Sequence, residues 1–178
     1  MTDNQIDAKP KFLFDCLTDI TIDDLKKMGV RLVAIDLDNT SVYDCSVTPI
    51  KGVKEWVKKV KKAGFKIAII SNTFSLRAKF VGKIFNCASY GPAAKPDTKM
   101  FFKAVKDAGI EIHEMALIGD RIFTDVLGAN SCGAVSVYVK PYKKEMMIPF
   151  YWKKARRAEI DFLKTININR DFKTIYYK

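Results

Sequence analysis

The amino-acid sequence predicts a doubly wound α/β fold, in which helices cover both faces of a parallel sheet. Three observations predict it. Short apolar runs with the length of strands alternate with longer segments that have helical periodicity. The apolar runs are continuous, as in strands that are buried on both faces. Alternation at these lengths is typical of parallel strands joined by right-handed helical crossovers.

Five segments have the composition of strands, and five have the periodicity or the end signals of helices. The predicted strands cover residues 31–37, 65–71, 87–91, 114–120 and 134–139. The predicted helices cover residues 20–29, 51–64, 75–85, 98–109 and 123–133. In the first helix we expect Thr21 to be the N-cap residue and Gly29 to be the C′ residue.

The helix at 51–64 has the clearest pattern. Its apolar residues recur at i, i+3, i+4 and i+7, and they are Val53, Trp56, Val57 and Val60. Lysines occupy the remaining positions, which predicts a solvated face, and Gly64 ends the helix.

Length and composition fit one domain over residues 1–178, with a core at about 14–141 and a basic, aromatic extension at 142–178. The polar start MTDNQIDAKP lacks the features of a signal peptide. No apolar run reaches the roughly 18 residues that a membrane-spanning helix needs. We therefore expect a cytoplasmic protein.

The cysteines and the histidine exclude several kinds of site. The four cysteines are scattered and show no Cys-x-x-Cys spacing, so we expect free, mostly buried thiols. The single histidine, His113, excludes a histidine-rich metal site and has the position of a surface or capping residue. No dinucleotide-binding or P-loop glycine motif is present, and no Ser-His-Asp arrangement is credible.

Polar side chains follow the predicted strands at the points where those strands end. They are Asp36 and Asp38, Ser71 and Asn72, and Asp120 with Asp125 shortly after it. Lys95 lies in the loop that follows the third predicted strand, before the fourth. Each residue alone fits an ordinary turn or cap, but ligands of doubly wound sheets bind at the carboxyl ends of strands. Their joint placement therefore predicts a functional site.

A cluster of carboxylates at this edge requires a cation. Asp36 and Asp38 are spaced i and i+2, so we expect both to face one ligand. Two unit charges about 4 Å apart repel by roughly 4 kcal/mol at an effective dielectric constant near 20. Oxygen ligands without cysteine or histidine favour Mg²⁺.

Four short motifs carry a resemblance to a known family. They are DLDNT at 36–40, SN at 71–72, KP at 95–96 and GDRIFTD at 119–125. Together they resemble the haloacid dehalogenase (HAD) superfamily of phosphatases. The lead-in DITIDDLKKMGVRLVAIDLDNT and the segment TDVLGAN are similar to subfamily IIIA, a bacterial group related to mitochondrial phosphatidylglycerophosphate phosphatases. Ser41 departs from the family, which usually has an apolar residue there.

The resemblance implies a Rossmann-like core and the chemistry of an aspartyl-phosphate. Asp36 would be the nucleophile, and Asp38 would act as general acid toward the leaving alcohol and then as base toward water. Mg²⁺ would be held by the Asp36 carboxylate, the Asp38 carbonyl and Asp120, with Asp125 close by.

The resemblance also implies a phosphate-binding set. Ser71, Asn72 and Lys95 would bind the phosphoryl oxygens, and Lys95 would balance the charge of the intermediate. The gaps between the motifs hold little more than one helix each, so we expect a nearly capless enzyme with an open site. Open sites suit large phosphorylated substrates.

The basic C-terminal segment bears on the choice of substrate. The net charge of the chain is +11, and residues 140–178 contribute +7 from eleven basic and four acidic residues. Aromatic residues lie beside basic ones there, namely Phe150, Tyr151, Trp152, Lys153, Lys154, Arg156 and Arg157. This pattern fits peripheral contact with the inner face of a membrane, and equally a packed aromatic core with a solvated basic face.

We therefore expect a Mg²⁺-dependent phosphomonoesterase that acts on phosphatidylglycerophosphate or a similar headgroup. Three alternatives stay open. The first is a phosphatase of soluble metabolites or nucleic acid ends. The second is a receiver-like phosphoacceptor domain, although the Asp-x-Asp spacing argues against it. The third is a non-catalytic binder of nucleic acid or acidic partners, which would leave the acids at the strand ends unexplained; nucleic acid is not favoured.

Overall fold

The computed structural model describes residues 7–142 and 150–166, with side chains in the second range from Lys153 onward. In this described part, parallel strands form a six-stranded sheet in the order β1-β6-β5-β2-β3-β4. The strands are β1 (Phe12–Phe14), β2 (Leu32–Ile35), β3 (Lys66–Ile70), β4 (Ala88–Tyr90), β5 (Met115–Gly119) and β6 (Val135–Val139). The predicted α/β class is confirmed.

Helices follow most of the strands. They are α1 (Ile22–Lys27), α2 (Val53–Lys62), α3 (Ser75–Phe85), α4 (Lys99–Ala108), α5 (Leu127–Cys132) and α6 (Phe150–Thr165). A single π-helical turn, Ile122–Val126, leads into α5. Short 3₁₀ turns occupy Leu17–Asp19 and Ile112–Glu114.

The order of the strands places the site. β2 lies at the centre of the sheet, with β3 on one side and β5 on the other; Ala34 pairs with Ala68 and with Leu117. The chain builds outward from β2 through β3 to β4 and then returns to β5 on the opposite side. A ligand crevice is expected at the carboxyl ends of strands where the winding reverses in this way.

Alternate residues of β2 face the two halves of the core. Val33 and Ile35 pack with α2, whose predicted apolar residues Val53, Trp56, Val57 and Val60 are all buried. Leu32 and Ala34 face the other half, which contains Phe101 of α4. The indole Nε1 of Trp56 donates to the carbonyl of Ile20 at 2.7 Å, so this large side chain is buried without an unpaired donor.

The end signals of α1 are confirmed. Thr21 is its N-cap residue, and its side chain and that of Asp24 form a reciprocal capping box. Gly29 follows the C-cap residue with φ of +70°, a conformation that favours glycine.

Three features differ from the predictions. β1 was not predicted, because this short edge strand has exposed residues and no buried apolar run. The helix expected at 123–133 begins instead as the π-helical turn. The four cysteines are free as predicted but are not mostly buried, since Cys45 is exposed and the other three are partly exposed.

The segments that flank β3 contain no separate cap. Residues 36–65 and 71–114 are all described, and they hold α2, α3, β4 and α4 with their connections. This agrees with the predicted, nearly capless architecture. Within the described residues, no helix is both long and apolar enough to cross a membrane.

Candidate active site

Three buried carboxylates meet at the carboxyl edge of the central strands. Asp36 directly follows β2, Asp120 directly follows β5, and Asp125 lies in the π-helical turn. One oxygen from each lies within 4.8 Å of the other two. The side chains are almost inaccessible to solvent. The sequence therefore predicted correctly that these residues are neighbours.

Gly119 makes room for Asp125. A Cβ atom on Gly119 would overlap the carboxylate of Asp125, so only glycine fits at this position without movement. The backbone N–H of Arg121 donates to Oδ2 of Asp125 at 3.1 Å and fixes its orientation. This explains, in physical terms, the glycine before Asp120.

Lys95 lies between two of the carboxylates. Its Nζ lies 2.6 Å from Oδ1 of Asp36 and 2.6 Å from Oδ1 of Asp125, and it donates to the carbonyl of Ile70 at 2.9 Å. Burial favours the neutral amine, but the carboxylates of Asp125 and Asp36 outweigh it and raise the pKa of Lys95. Lys95 is therefore a permanent cation within the site.

Asn72 fixes the loop that carries Lys95. Its Oδ1 accepts from the backbone N–H of Lys95 at 2.6 Å, and its Nδ2 donates to the Lys95 carbonyl at 3.1 Å. Ser71 is buried beside it, and its Oγ accepts from the N–H of Thr73 at 3.3 Å. The structure thus gives Asn72 a positioning contact, while binding of substrate by Ser71 and Asn72 stays a prediction.

The carboxylate of Asp38 does not join the cluster. Arg77 of α3 holds it through two bonds, Nη1 to Oδ2 at 2.7 Å and Nη2 to Oδ1 at 2.5 Å. The N–H of Cys45 also donates to Oδ1 at 2.9 Å. Because β2 ends at Ile35 and the chain then turns, strand alternation does not determine where the Asp38 side chain lies. That Asp36 and Asp38 face one ligand stays a prediction.

Thr40 and Ser41, which follow Asp38 in the chain, form hydrogen bonds to residues of the cluster. The hydroxyl of Thr40 donates to Oδ1 of Asp120 at 3.3 Å. The hydroxyl of Ser41, fully buried, donates to the backbone carbonyl of Asp36 at 2.7 Å. Ser41 therefore stabilises the turn that follows Asp36, which gives a structural reason for the residue that departs from the family.

Burial controls the ionisation of the cluster. It raises the pKa of Asp120 to about 7, with Asp36 and Asp125 adding to the shift and Arg156 opposing it. Burial also raises the pKa of Asp125, although Lys95 opposes this. Without a bound cation, these two carboxyl groups therefore take up protons more readily than exposed ones.

Arg156 and Glu159 of α6 belong to the site, and sequence reasoning missed both. The guanidinium of Arg156 donates to Oδ2 of Asp120 at 2.6 Å and to its backbone carbonyl at 2.7 Å. Glu159 accepts from Nε of Arg121 at 2.9 Å and from the N–H of Phe123 at 3.2 Å. The only sequence signal was their i, i+3 spacing on a helix.

The assignment of Arg156 to an exposed basic surface is accordingly wrong, because its side chain is buried against Asp120. Lys153, Lys154 and Arg157 are exposed, as predicted. The side chains of Phe150, Tyr151 and Trp152 lie outside the described residues.

The donors fit a hard divalent cation. Asp36, Asp120 and Asp125 offer oxygen atoms alone, which Mg²⁺ prefers. When all three are ionised, their negative charges face two buried cations, Lys95 and Arg156, and leave a net charge of −1 in this cluster. A bound cation would therefore be favoured by charge as well as by ligand type. The Asp38 carboxylate does not share this cluster, and coordination by its backbone carbonyl stays a prediction.

The fold and this cluster define a family. A family model for haloacid dehalogenase-like hydrolases matches residues 42–133. The chain belongs to this family and is a phosphatase of it. The match begins just after Asp36, which the geometry adds to the buried cluster.

The sequence is similar to those of two phosphatases from other organisms. The chain is 33% identical over 122 residues to the "Probable phosphatase YqeG" of Bacillus subtilis, which covers 68% of this chain and 71% of that protein. It is 26% identical over 149 residues to the chloroplastic/mitochondrial phosphatidylglycerophosphate phosphatase 1 of Arabidopsis thaliana. That match covers 79% of this chain but only 42% of the plant protein.

A solved structure agrees in fold. An uncharacterised protein from Listeria monocytogenes serotype 4b superposes with a TM-score of 0.54 at 24% identity. The match covers 67% of this chain and 85% of that one. This likeness supports the architecture alone.

Proposed function

We propose that this phosphatase is a Mg²⁺-dependent phosphomonoester hydrolase that works through an aspartyl-phosphate on Asp36. The observation that carries the proposal is the buried carboxylate of Asp36 at the end of the central strand, 2.6 Å from the cation of Lys95. A carboxylate held beside a cation and two further acids is suited to attack a phosphoryl group whose charge must be neutralised.

In the first step, an oxygen of Asp36 attacks phosphorus and the bond from phosphorus to the ester oxygen breaks. The leaving alkoxide takes a proton from the Asp38 carboxyl. In the second step, water attacks the same phosphorus, its proton passes to Asp38, and Asp36 is regenerated with release of inorganic phosphate. Mg²⁺ bound by Asp36, Asp120 and Asp125 would supply charge neutralisation for the phosphoryl oxygens. Lys95 would contribute the same from the protein.

Arg77 has a defined place in this sequence. Its two bonds to Asp38 are the contacts of an ionised carboxylate, which suits the base of the second step. As an acid, Asp38 must carry a proton and loosen this ion pair. We therefore propose that Arg77 is a positioning residue: it holds Asp38 next to the buried carboxylates, and the ion pair loosens when Asp38 acts as the acid.

We further propose that the substrate is a phosphorylated lipid headgroup at a membrane surface. The similarity to a phosphatidylglycerophosphate phosphatase supports this class of substrate. The lack of a cap in the described residues 36–114 supports it too, because a headgroup that remains in a bilayer needs open access.

The outer face of α3 also supports a membrane surface. Phe74, Leu76 and Phe80 expose 64%, 74% and 53% of their surface, and Lys79 and Lys83 are exposed beside them. Leu76, Lys79, Phe80 and Lys83 have the i, i+3, i+4, i+7 spacing of one helix face. Phe74 directly follows the site segment Ser71–Thr73. Apolar side chains flanked by lysines are suited to an anionic lipid interface.

The exposed Lys153, Lys154 and Arg157 of α6 would add to this attraction. We accordingly propose peripheral association with the inner face of the membrane. Among the described residues, the α3 face combines apolar and basic groups, whereas the contribution of α6 is charge.

The test is Mg²⁺-dependent phosphate release from two kinds of substrate. The first kind is a lipid, phosphatidylglycerophosphate in phosphatidylcholine vesicles. The second kind is soluble, namely a sugar phosphate and p-nitrophenyl phosphate. We expect turnover of the vesicle substrate. We also expect the double variant Leu76→Ser, Phe80→Ser to lose most of that turnover while its activity on p-nitrophenyl phosphate is retained.

Phe102→Ser is the matched control, because Phe102 is an equally exposed aromatic residue on α4. Protein that ignores the vesicles but cleaves the sugar phosphate would overturn the lipid substrate and favour the soluble alternative. Absence of Mg²⁺-dependent release from every substrate would overturn the mechanism itself.

A further inference from the structure

We propose that the C-terminal helix α6 completes the cation site, with Arg156 as a positioning residue that fixes the ligand oxygen of Asp120. The inference rests on the proposed function in one respect, namely that Asp120 binds a divalent cation. It adds that Arg156, 36 positions after Asp120 in the chain, determines how well Asp120 binds that cation. Arg156 lies on an element outside the family match at 42–133.

The contacts of Arg156 define which oxygen of Asp120 is available. Its Nη2 donates to Oδ2 at 2.6 Å, and its Nη1 donates to the backbone carbonyl of the same residue at 2.7 Å. One guanidinium thus grips both the side chain and the main chain of Asp120, which fixes its carboxylate plane. Among the described residues, Oδ1 has only the longer contact with Thr40, at 3.3 Å, and is the oxygen left to a cation.

A second ion pair fixes the segment on the far side of Asp120. Glu159 accepts from Nε of Arg121 and from the N–H of Phe123, while Nη1 of Arg156 reaches Oε2 of Glu159 at 3.2 Å. Side chains one turn apart on α6 therefore hold residues 120–123 at several points. This network is buried, so its contacts are not the weak pairs of a solvated surface.

Apolar packing holds α6 in place. Leu163 of α6 is buried with Ile122, Val126 and Tyr138. The ring of Phe162 lies 5.7 Å from that of Phe123. The apolar and the charged residues of α6 thus contact the same segment, residues 120–126, and each set of contacts stabilises the other.

The charge of Arg156 alone would repel a divalent cation, so geometry and charge make opposite predictions. If orientation dominates, removal of Arg156 weakens cation binding. Loss of a residue that orients a metal ligand typically lowers the affinity for the metal about 10- to 100-fold. If repulsion dominates, removal tightens binding. The grip on both parts of Asp120 leads us to expect the first result.

The test measures Mg²⁺ binding by titration calorimetry in the full-length protein, without substrate. We expect Arg156→Met to raise the dissociation constant about 10- to 100-fold. Arg156→Lys should fall close to Arg156→Met, because lysine keeps the charge but loses the fork that takes two oxygens at once. Hydrogen exchange of residues 120–126 should rise in both variants.

Arg157→Met is the matched control, because Arg157 is the neighbouring arginine on the exposed face of α6. Unchanged or tighter Mg²⁺ binding in a folded Arg156→Met protein would overturn the inference while leaving the phosphatase mechanism intact. An Arg156→Lys protein that binds Mg²⁺ like wild type would overturn the claim that the two contacts of the guanidinium are needed to position Asp120. Failure of wild type itself to bind Mg²⁺ would overturn both this inference and the proposed cofactor.

Discussion

The Nζ atom of Lys95 lies 2.6 Å from Oδ1 of Asp36, and both side chains are buried at the edge of the sheet. Lys95 comes from the loop after β4, and Asp36 comes from the end of β2. The pair therefore links the end of the central strand to the connection that returns from β4 to β5, where the winding reverses. A carboxylate held in this way has its counter-charge in place before any substrate arrives.

Loss of Lys95 should damage both stability and activity. In Lys95→Met, the carboxylates of Asp36 and Asp125 lose a buried partner, which typically costs about 3–5 kcal/mol. We expect that loss in chemical denaturation, together with a fall of at least about 10²-fold in phosphate release. Lys99→Met is the control, because Lys99 forms an exposed pair with Asp97 and should change neither quantity. A stable Lys95→Met protein with normal turnover would refute the assigned role.

Gly119→Ala should disable the site by displacing Asp125. The added methyl group overlaps the Asp125 carboxylate, so the π-helical turn must shift; overpacking of this kind costs about 1–3 kcal/mol. We expect weaker Mg²⁺ binding and reduced turnover. Gly109→Ala is the comparison, since Gly109 has φ of +64° and open space around it. That variant should lose about 1 kcal/mol of stability with normal activity; equal activities in the two variants would contradict the account.

The stability of the cation-free protein should fall as pH rises toward 7. The pKa of Asp120 is about 7 in the folded protein, above the value of about 3.9 expected when unfolded. The stabilisation is therefore fully present below about pH 4 and is lost as pH rises through 7, because the unfolded state releases its proton first. In EDTA we expect the melting temperature to drop by several degrees between pH 5 and pH 7.5.

Asp120→Asn should remove much of this slope, whereas the exposed Asp97→Asn should keep it. Wild type with Mg²⁺ should show the opposite trend, since ionisation of Asp120 favours the cation. An Asp120→Asn protein that melts with the wild-type pH dependence would show that Asp120 is not the group responsible.

Arg77→Met should affect substrates according to their leaving groups. Without Arg77, the Asp38 side chain loses the ion pair that holds it next to the site, so Asp38 is misplaced when the leaving alcohol needs a proton. We expect turnover of an alkyl phosphate to fall about 10- to 100-fold, within the usual range for general acid catalysis. Turnover of p-nitrophenyl phosphate should fall less, because p-nitrophenolate leaves without a proton.

Arg31→Met provides the control, because Arg31 forms an exposed ion pair with Glu114. An equal loss on both substrates would show that Arg77 does not act through protonation of the leaving group.

The sequence could predict the residues that lie at strand ends. Asp36, Asp120 and Lys95 follow from the rule that the carboxyl ends of parallel strands share one edge of the sheet. Helix periodicity predicted α2 with its four buried apolar residues, because that pattern is local. The position of Asp38 could not be derived in the same way, since alternation of side chains holds only while the strand continues.

The two arginines that complete the site could not be predicted. Arg77 and Arg156 lie on helices rich in basic residues, and a buried arginine looks the same in sequence as an exposed one. Only the packing of α3 and α6 shows which arginine reaches a carboxylate. β1 was missed for a related reason, because its three residues are held by pairing with β6 and not by a buried pattern of their own.

The most direct test of the central claim is phosphate release by Asp36→Asn at saturating Mg²⁺, compared with wild type on p-nitrophenyl phosphate. Thermal melting shows that the variant is folded. The account predicts a loss of at least about 10³-fold, because the amide cannot form the aspartyl-phosphate. A folded Asp36→Asn protein that retains turnover within about 10-fold of wild type would contradict the assignment of Asp36 as the nucleophile.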